Sequence, residues 1–403
     1  MSPASPQDLL LKTVRPMGGA STDVLIRGGR IARIAPDQAP PEGVHVEDGW
    51  DALLLPGLVE AHTHLDKTLW GMRWVPNSAG PRLIDKIDNE RRIRQEMGID
   101  PARQSARQLV QSLAKGSTHI RTHVDVDTSV GLAGIEGLLA TRERYRDAMD
   151  VEIVAFPQSG LLVRPGTLEL MEEAMKLGSD VVGGLDPCGI DRDPKGHLDA
   201  VFDLAQRFGK PVDIHLHEAA LLGAFSMELI FERTRALGMQ GQVVISHAFC
   251  LGDPDTAMVD GLLEEIAALD IAIMSTGSAS RPVPPVAKLT ARGIRLCAGN
   301  DGIRDSWGPY GNGDMLERAM LLGLRNNFRT DPEVELALAV CTTGGAATMR
   351  LADYGVAEGC QADLLLVDAE TLAEAVVNRP ERRLVVKRGR IVARAGRALV
   401  DAP

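Results

Sequence analysis

The stretch Leu53–Lys67, LLLPGLVEAHTHLDK, decides how the chain is read. An apolar run of strand length ends in two imidazoles, His62 and His64, with one threonine between them. Side chains alternate along a strand, so both rings point to the same side. Runs of the same kind recur as HIRTHVDV (119–126), VEIVAFPQ (151–158), DVVGGLDP (180–187), PVDIHLHE (211–218), QVVISHAF (242–249), DIAIMST (270–276) and IRLCAGND (294–301). With GLVEAHTH (57–64) that makes eight candidate strands. Between them lie amphipathic segments such as PARQSARQLVQSLAKG, LELMEEAMKLG, AVFDLAQRFGK and MELIFERTRALG, several of which stop at a glycine as helix ends do. Eight alternating units over about 250 residues predict an α/β protein with a (β/α)8 TIM barrel, whose chemistry gathers at the C-terminal ends of the strands.

The ends of the chain lie outside that pattern. Residues 22–36 read TDVLIRGGRIARIAP, and the tail contains ADLLLVDA followed by RRLVVKRGRIVARAG. The two R-G-(G)-R-I-x-R-x-A echoes predict matched β-hairpins. Residues 1–55 and 356–403 are therefore expected to form one small composite β-sandwich, with the barrel, 56–355, inserted between its halves. PNSAGPR (76–82) and GIRDSWGPYGNG (302–313) are read as loops over the active face, where long loops shape substrate pockets.

Composition narrows the functional classes. The 403 residues are 44% hydrophobic, ample for a large core, and the 55 acids and 44 bases give a net charge of −11 with no long block of either sign. A basic surface for nucleic acid is not expected. The first residues lack a cationic-then-apolar leader and no stretch is long enough to span a bilayer, so the expected location is the cytoplasm. Five scattered cysteines without a C-x-x-C pair read as reduced thiols.

Of the nine histidines, only His45 and His197 fall outside the strand runs. His62 and His64 end the first strand, His215 the fifth and His247 the sixth, and Asp301 ends the eighth. Five ligand-type residues at four strand ends of one barrel predict a metal site, since a catalytic metal takes three or four protein ligands and leaves a position for water. A H-x-H pair by itself is equally well read as two solvated histidines; the convergence carries the argument.

The set PGLVEAHTHLDK, RTHVDVD (121–127), AFPQSG (155–160), VDIHLHE (212–218), ISHAF (245–249) and GNDGIRDSWGPYGNGDM (299–315) resembles the amidohydrolase superfamily, in particular its bacterial cytosine deaminase branch, over nearly the whole chain. The resemblance implies that His62, His64, His215 and Asp301 hold one divalent ion per subunit, Zn2+ or Fe2+, in a homo-oligomer. It further implies that Glu218 moves protons, that His247 orients the attacking oxygen and that Gln158 reads the amide edge of a ring. General chemistry agrees, because hydrolytic deamination needs a water of lowered pKa and a protonated leaving amine. Read singly, Glu218 is a salt-bridged loop acid and His247 a core histidine. His217 shares a face with His215 and is a substrate contact, a support for the ligands, or the ligand itself if the register shifts by two. His119 is read as packing, and His123 is left open. Lys67 is a cation at the site or a solvated lysine, Trp307 a stacking platform or a loop anchor, and Asp186 a substrate contact or a cap.

Two departures from cytosine deaminases bear on the substrate: Gly302 stands where they carry a second aspartate, and Asn300 where they carry histidine. Lys67, QSG (158–160), the HLH of strand five and NDGIRDSW look more like the isopropylammelide type, which hydrolyses an N-alkylamino group from an s-triazine. Glu218, an aspartate in that type, tilts the reading back to a free amino group. The expected activity is thus metal-dependent hydrolytic deamination of a small cytosine-like heterocycle, with release of ammonia, and the N-alkylamino-s-triazine reaction is the alternative. A binuclear cyclic amidase needs a lysine at the end of strand four, which DVVGGLDP lacks. PCGI (187–190) holds only half of the P-C-x-x-C of the other zinc deaminases, and a non-catalytic barrel would lack a ligand or a proton shuttle.

Overall fold

The computed structural model describes residues 8–403. Each of the eight expected runs overlaps a strand, two of which start one or two residues earlier: β1 (Leu58–Thr63), β2 (Ser117–Asp125), β3 (Asp150–Phe156), β4 (Val181–Leu185), β5 (Val212–His215), β6 (Val243–Ser246), β7 (Ala272–Ser275) and β8 (Leu296–Ala298). They pair in sequence order, all parallel. Helices cover the outside of such a sheet, so its strands are buried on both faces and read as nearly continuous apolar runs. The barrel closes where the chain beyond β8 meets β1: Asp301 N–H donates to His62 O at 2.9 Å, and Thr63 Oγ1 donates to Asp301 O at 2.9 Å. Gly299 permits this approach, because a Cβ there would overlap His62 O and stand 2.7 Å from His62 Cα. Closure therefore sets Asp301 beside the H-x-H pair.

Helix boundaries follow local chemistry. Asp100 caps Pro101–Ala114 by accepting from the N–H groups of Ala102 and Arg103, and Gly178 and Gly209 end Thr167–Leu177 and Pro194–Phe208 in the left-handed region. The segment read as MELIFERTRALG belongs to a longer helix, Ala220–Ala236. Its first turns escape a sequence reading because the N-cap is Ala219, which makes no side-chain cap bond. No helix among the described residues is long and apolar enough to cross a membrane.

The termini build one hydrogen-bonded sheet of eight strands. The N-terminal half contributes Leu9–Pro16, Thr22–Arg27, Arg30–Ala35 and His45–Pro56, and the C-terminal half Leu364–Val367, Arg382–Lys387, Arg390–Arg394 and Arg397–Ala398. The halves join where His45–Pro56 pairs antiparallel with Leu364–Val367. Both sequence echoes are two-residue hairpins. Gly28 and Gly29 (φ 55° and 79°) and Arg388 and Gly389 (φ 46° and 78°) give the two positive dihedrals of a type I′ turn, whose twist matches the strands. Leu11, Val24 and Ile26 share one apolar cluster with Leu364, Leu384 and Val386, so the core of this sheet is made by both ends of the chain.

A buried charge cluster ties the sheet to the bottom of the barrel. Lys387 Nζ donates to Asp150 Oδ2 and Asp363 Oδ2, both at 2.7 Å, and lies 3.4 Å from His119 Nε2. His119 and the two carboxylates could have held a metal, but the ammonium fills their centre. His119 thus belongs to the end of the barrel opposite the H-x-H pair. Lys387→Ala would leave Asp363 charged and buried without its partner, at a cost of about 3 kcal/mol. A lowered urea midpoint with unchanged metal content is the expected result, and an unchanged midpoint would show that the cluster does not hold the two parts together.

Candidate active site

The C-terminal ends of the strands bring the candidate ligands together. One ligand atom from each of His62, His215, His247 and Asp301 lies within 4.8 Å of the other three. His64 is outside that strict group, yet its Nε2 is 3.1 Å from Asp301 Oδ1, closer than His62 Nε2 at 3.7 Å or His247 Nε2 (to Oδ2) at 4.0 Å. His62 Nε2, both ring nitrogens of His215 and His247 Nε2 are buried without a hydrogen-bond partner. Buried polar atoms are normally paired, so a convergent set of orphan lone pairs around one carboxylate fits a bound cation. Burial lowers His215 and His247 well below the ordinary histidine range, which keeps the rings neutral, as ligation requires. Asp301 is raised by burial, but the imidazoles of His62, His64 and His247 around it outweigh this and hold it well below the usual carboxylate range. His247 and Asp301 have positive φ (69° and 63°), as does Asp186 (32°). For non-glycine residues such backbone is costly, and it concentrates at functional sites.

Two polar contacts settle which nitrogen of each H-x-H ring faces the centre. Ser246 Oγ gives its proton to Asp213 Oδ1 (2.6 Å) and therefore accepts from His62 Nδ1–H (3.1 Å), which leaves the Nε2 lone pair free. His64 Nδ1–H donates to His123 O (3.0 Å) with the same effect. Arg121 Nη1 holds Asp213 from the other side (3.0 Å). His123 lies beneath the site, 4.0 Å from His62 between ring centroids, and burial lowers it to about 3. Ser246 and Asp213 were not legible as site residues, because both sit inside apolar strand runs. Outer partners of this kind are worth roughly 10- to 100-fold in metal affinity. Ser246→Ala is expected to weaken metal binding by about 30-fold in a chelator competition titration, and an unchanged affinity would remove the Ser246 relay from the account.

His217 and Glu218 have different surroundings. His217 stacks on His247 at 4.3 Å, and its Nδ1–H donates to Asp186 Oδ2 at 2.7 Å. Burial pulls His217 down, but the charge of Asp186 and its hydrogen bond outweigh that and raise it above the ordinary histidine range. Glu218 faces the same cavity, yet its Oε1 accepts from the N–H groups of Cys188 (2.9 Å) and Gly189 (2.7 Å), and its Oε2 accepts from Ser226 Oγ. Burial still leaves Glu218 above the usual carboxylate range. The PCGI segment is therefore a π-turn, Pro187–Asp191, whose amides cradle Glu218.

Lys67 and Gln158 form a second wall. Lys67 Nζ is buried and donates to Gln158 Oε1 (2.7 Å), Glu90 Oε2 (3.1 Å) and Asp125 Oδ1 (3.2 Å). Burial alone would neutralise it, but Asp125 and Glu90 hold it fully charged. With its oxygen so engaged, Gln158 has its NH2 group left to donate. Trp307 Nε1 donates to Glu90 Oε2, and the indole lies 5.6 Å from Lys67 Nζ. Glu90 comes from α1 (Leu83–Met97), a helix whose first turn lines the cavity. Arg94 of α1 binds Asp66 and Asp125. These walls enclose a cavity of about 650 Å3 above Asp301.

The amidohydrolase family model matches residues 46–393. The chain belongs to the amidohydrolase family. The N-isopropylammelide isopropyl amidohydrolase of Pseudomonas sp. strain ADP is 32% identical over 92% of this amidohydrolase and 93% of its own length. Among solved structures, N-isopropylammelide isopropylaminohydrolase from Burkholderia multivorans is 50% identical, with a TM-score of 0.95 over 98% of this chain and 100% of that one. The 5-methylcytosine deaminase of Klebsiella pneumoniae, solved with 5-fluorocytosine, is 29% identical, with a TM-score of 0.82 over 96% and 97%. This amidohydrolase is accordingly a metal-dependent hydrolytic enzyme of C–N bonds.

The two departures now have locations. Asn300 turns inward, donating from N–H to Glu60 Oε1 (2.8 Å) and from Nδ2 to Glu60 Oε2, while Arg318 Nη2 donates to Asn300 Oδ1 (3.2 Å). It satisfies a buried acid that burial raises to about 7. Gly302 lies on the cavity wall beside Asp305.

Proposed function

We propose that this amidohydrolase removes an exocyclic amine from an oxo-substituted N-heterocycle, with an N-alkylamino-s-triazine as the first substrate class. The observation that carries the reaction is the set of unpartnered nitrogens of His62, His215 and His247 converging with Asp301 at the floor of a polar-walled cavity. The substrate class is supported by 50% identity over the full length of an N-isopropylammelide isopropylaminohydrolase. It is also supported by Phe249, whose ring lies 5.6 Å from His247 and 5.8 Å from His217, an apolar wall suited to an alkyl substituent.

His62, His64, His215 and Asp301 are assigned as the ligands of one divalent ion, with His247 facing it; imidazole and carboxylate donors suit Zn2+ or Fe2+. When bound, such an ion supplies Lewis-acid chemistry and a water of lowered pKa. The residues do the rest. Gln158, braced by Lys67, donates to a ring carbonyl and fixes the ring plane, and Trp307 borders that plane. His247 directs the attacking oxygen at the ring carbon that carries the amine. Asp301 takes the proton released on attack, and His217, charged through Asp186, delivers one to the departing nitrogen from Nε2. Glu218 keeps the 187–191 turn against Asp186 and so positions the pair. This moves the proton shuttle from Glu218, the residue implied by sequence resemblance, to its neighbour, because all three described donors around Glu218 already bind its carboxylate.

Deamination of a free amino group is the second reading, favoured by the retained Glu218 and by likeness to 5-methylcytosine deaminase. One assay separates the readings: metal-replete protein with N-isopropylammelide, ammelide, cytosine, 5-methylcytosine and isocytosine, ammonia and alkylamine being quantified separately. Isopropylamine from the first compound with little ammonia from the others is expected. Ammonia alone would select the second reading, and no amine from any compound would reject both. A cytoplasmic homo-oligomer, with no nucleic-acid or membrane partner, completes the proposal.

A further inference from the structure

Gly302 and Asp305 form a pair that the ligand set does not explain. A Cβ on residue 302 would overlap Asp305 Oδ2 and stand 2.7 Å from its Cγ, so the missing side chain is what admits the Asp305 carboxylate to the cavity wall. That carboxylate is held in one orientation: Oδ1 accepts from Trp307 N–H (2.8 Å) and Gly308 N–H (3.0 Å). No donor among the described residues hydrogen-bonds Oδ2. Asp305 is only 8% exposed, and its free oxygen shares the cavity with Gln158, Lys67 and Trp307. An acceptor turned into the cavity without a protein donor is free to take one from a ligand.

We propose that Asp305 Oδ2 is the acceptor for a ring N–H of the substrate, so that Gln158 and Asp305 together read a lactam edge, a carbonyl beside an N–H, and that Gly302 exists to make room for it. The inference rests on the reading of the cavity as the site of an oxo-substituted ring. It gives this chain a carboxylate on the ring, supplied from position 305 rather than 302. Rings that present a bare nitrogen at that edge meet a lone pair and are rejected, because a site built for a hydrogen bond discriminates strongly against the analogue that cannot make it. Burial raises Asp305 to about 6, which leaves it mainly ionised, and hence an acceptor, at neutral pH.

Asp305→Asn tests this cleanly. The two backbone N–H groups keep the amide oxygen at the Oδ1 position, so the NH2 group replaces the acceptor with a donor. With metal-loaded full-length protein, calorimetric titration should show cyanuric acid, all of whose ring nitrogens carry hydrogen in its trioxo form, binding at least about 30-fold more weakly to D305N than to wild type. Trimethoxy-1,3,5-triazine, whose bare ring nitrogens face the Asp305 lone pair in wild type, should bind D305N no more weakly than wild type. If D305N does not fold, Gly302→Ala, which keeps every polar group and displaces the carboxylate, should give the same pattern. Equal losses for both ligands, no loss for either, or wild-type protein that does not bind cyanuric acid would each overturn the assignment. Amine release is a separate readout: a wild type that binds cyanuric acid through Asp305 but hydrolyses nothing would reject the proposed reaction and leave this assignment standing.

Discussion

His62→Ala is expected to abolish metal binding and turnover together, with kcat/KM falling by about ten-thousand-fold or more. His62 is the most constrained of the ligands: its Nδ1–H is committed to Ser246, its carbonyl accepts from Asp301 N–H, and its Nε2 is an orphan lone pair 3.7 Å from Asp301 Oδ1. Loss of the ring removes a ligand, while the backbone bond that closes the barrel between β1 and β8 remains. The variant should therefore fold, with far-ultraviolet circular dichroism like that of wild type and no metal after dialysis. A variant that kept one equivalent of metal would place the ion elsewhere.

The second large effect is expected at His217. His217→Gln should keep the metal and lose about a thousandfold in kcat, within the range of general acid catalysis. Because Asp186 raises His217 above the ordinary histidine range, the wild-type rate should fall as pH rises and its acid form is lost. The variant should lack this alkaline limb. A ring with a chloride leaving group needs no proton at departure, so the variant should lose far less on such a substrate. Glu218→Gln keeps most of its hydrogen-bonding geometry and should cost much less than His217→Gln. The reverse order would return the shuttle to Glu218.

Much of this architecture is legible in the sequence, for identifiable reasons. The barrel strands announce themselves because a parallel sheet buried on both faces demands continuous apolar runs, and chemistry at their ends leaves a polar residue at each stop. The hairpins of the terminal sheet are visible because a type I′ turn needs two positive dihedrals, and the glycines of G-G and R-G mark them between matched apolar pairs. What stays hidden depends on contacts distant in sequence. Ser246 looks like any small residue of a buried strand until closure puts it against His62, 184 residues away. Glu90 lies far from any strand end in sequence, and becomes a site residue only because α1 folds over Lys67. Strand alternation puts His217 on the face of His215, but that the amides of residues 188 and 189 engage Glu218 shows only in the fold. Gly302 reads as a lost carboxylate until Asp305 is seen in the space it leaves.

The central claim, a hydrolase that works through one metal ion at the His62–His64–His215–Asp301 floor, is tested most directly by titrating chelator-stripped protein with Zn2+ or Fe2+ while amine release from N-isopropylammelide is followed. The account predicts no turnover without metal, a linear rise to one equivalent per chain and a plateau beyond it. Turnover by fully stripped protein, or a rate that rises only between one and two equivalents, would contradict it.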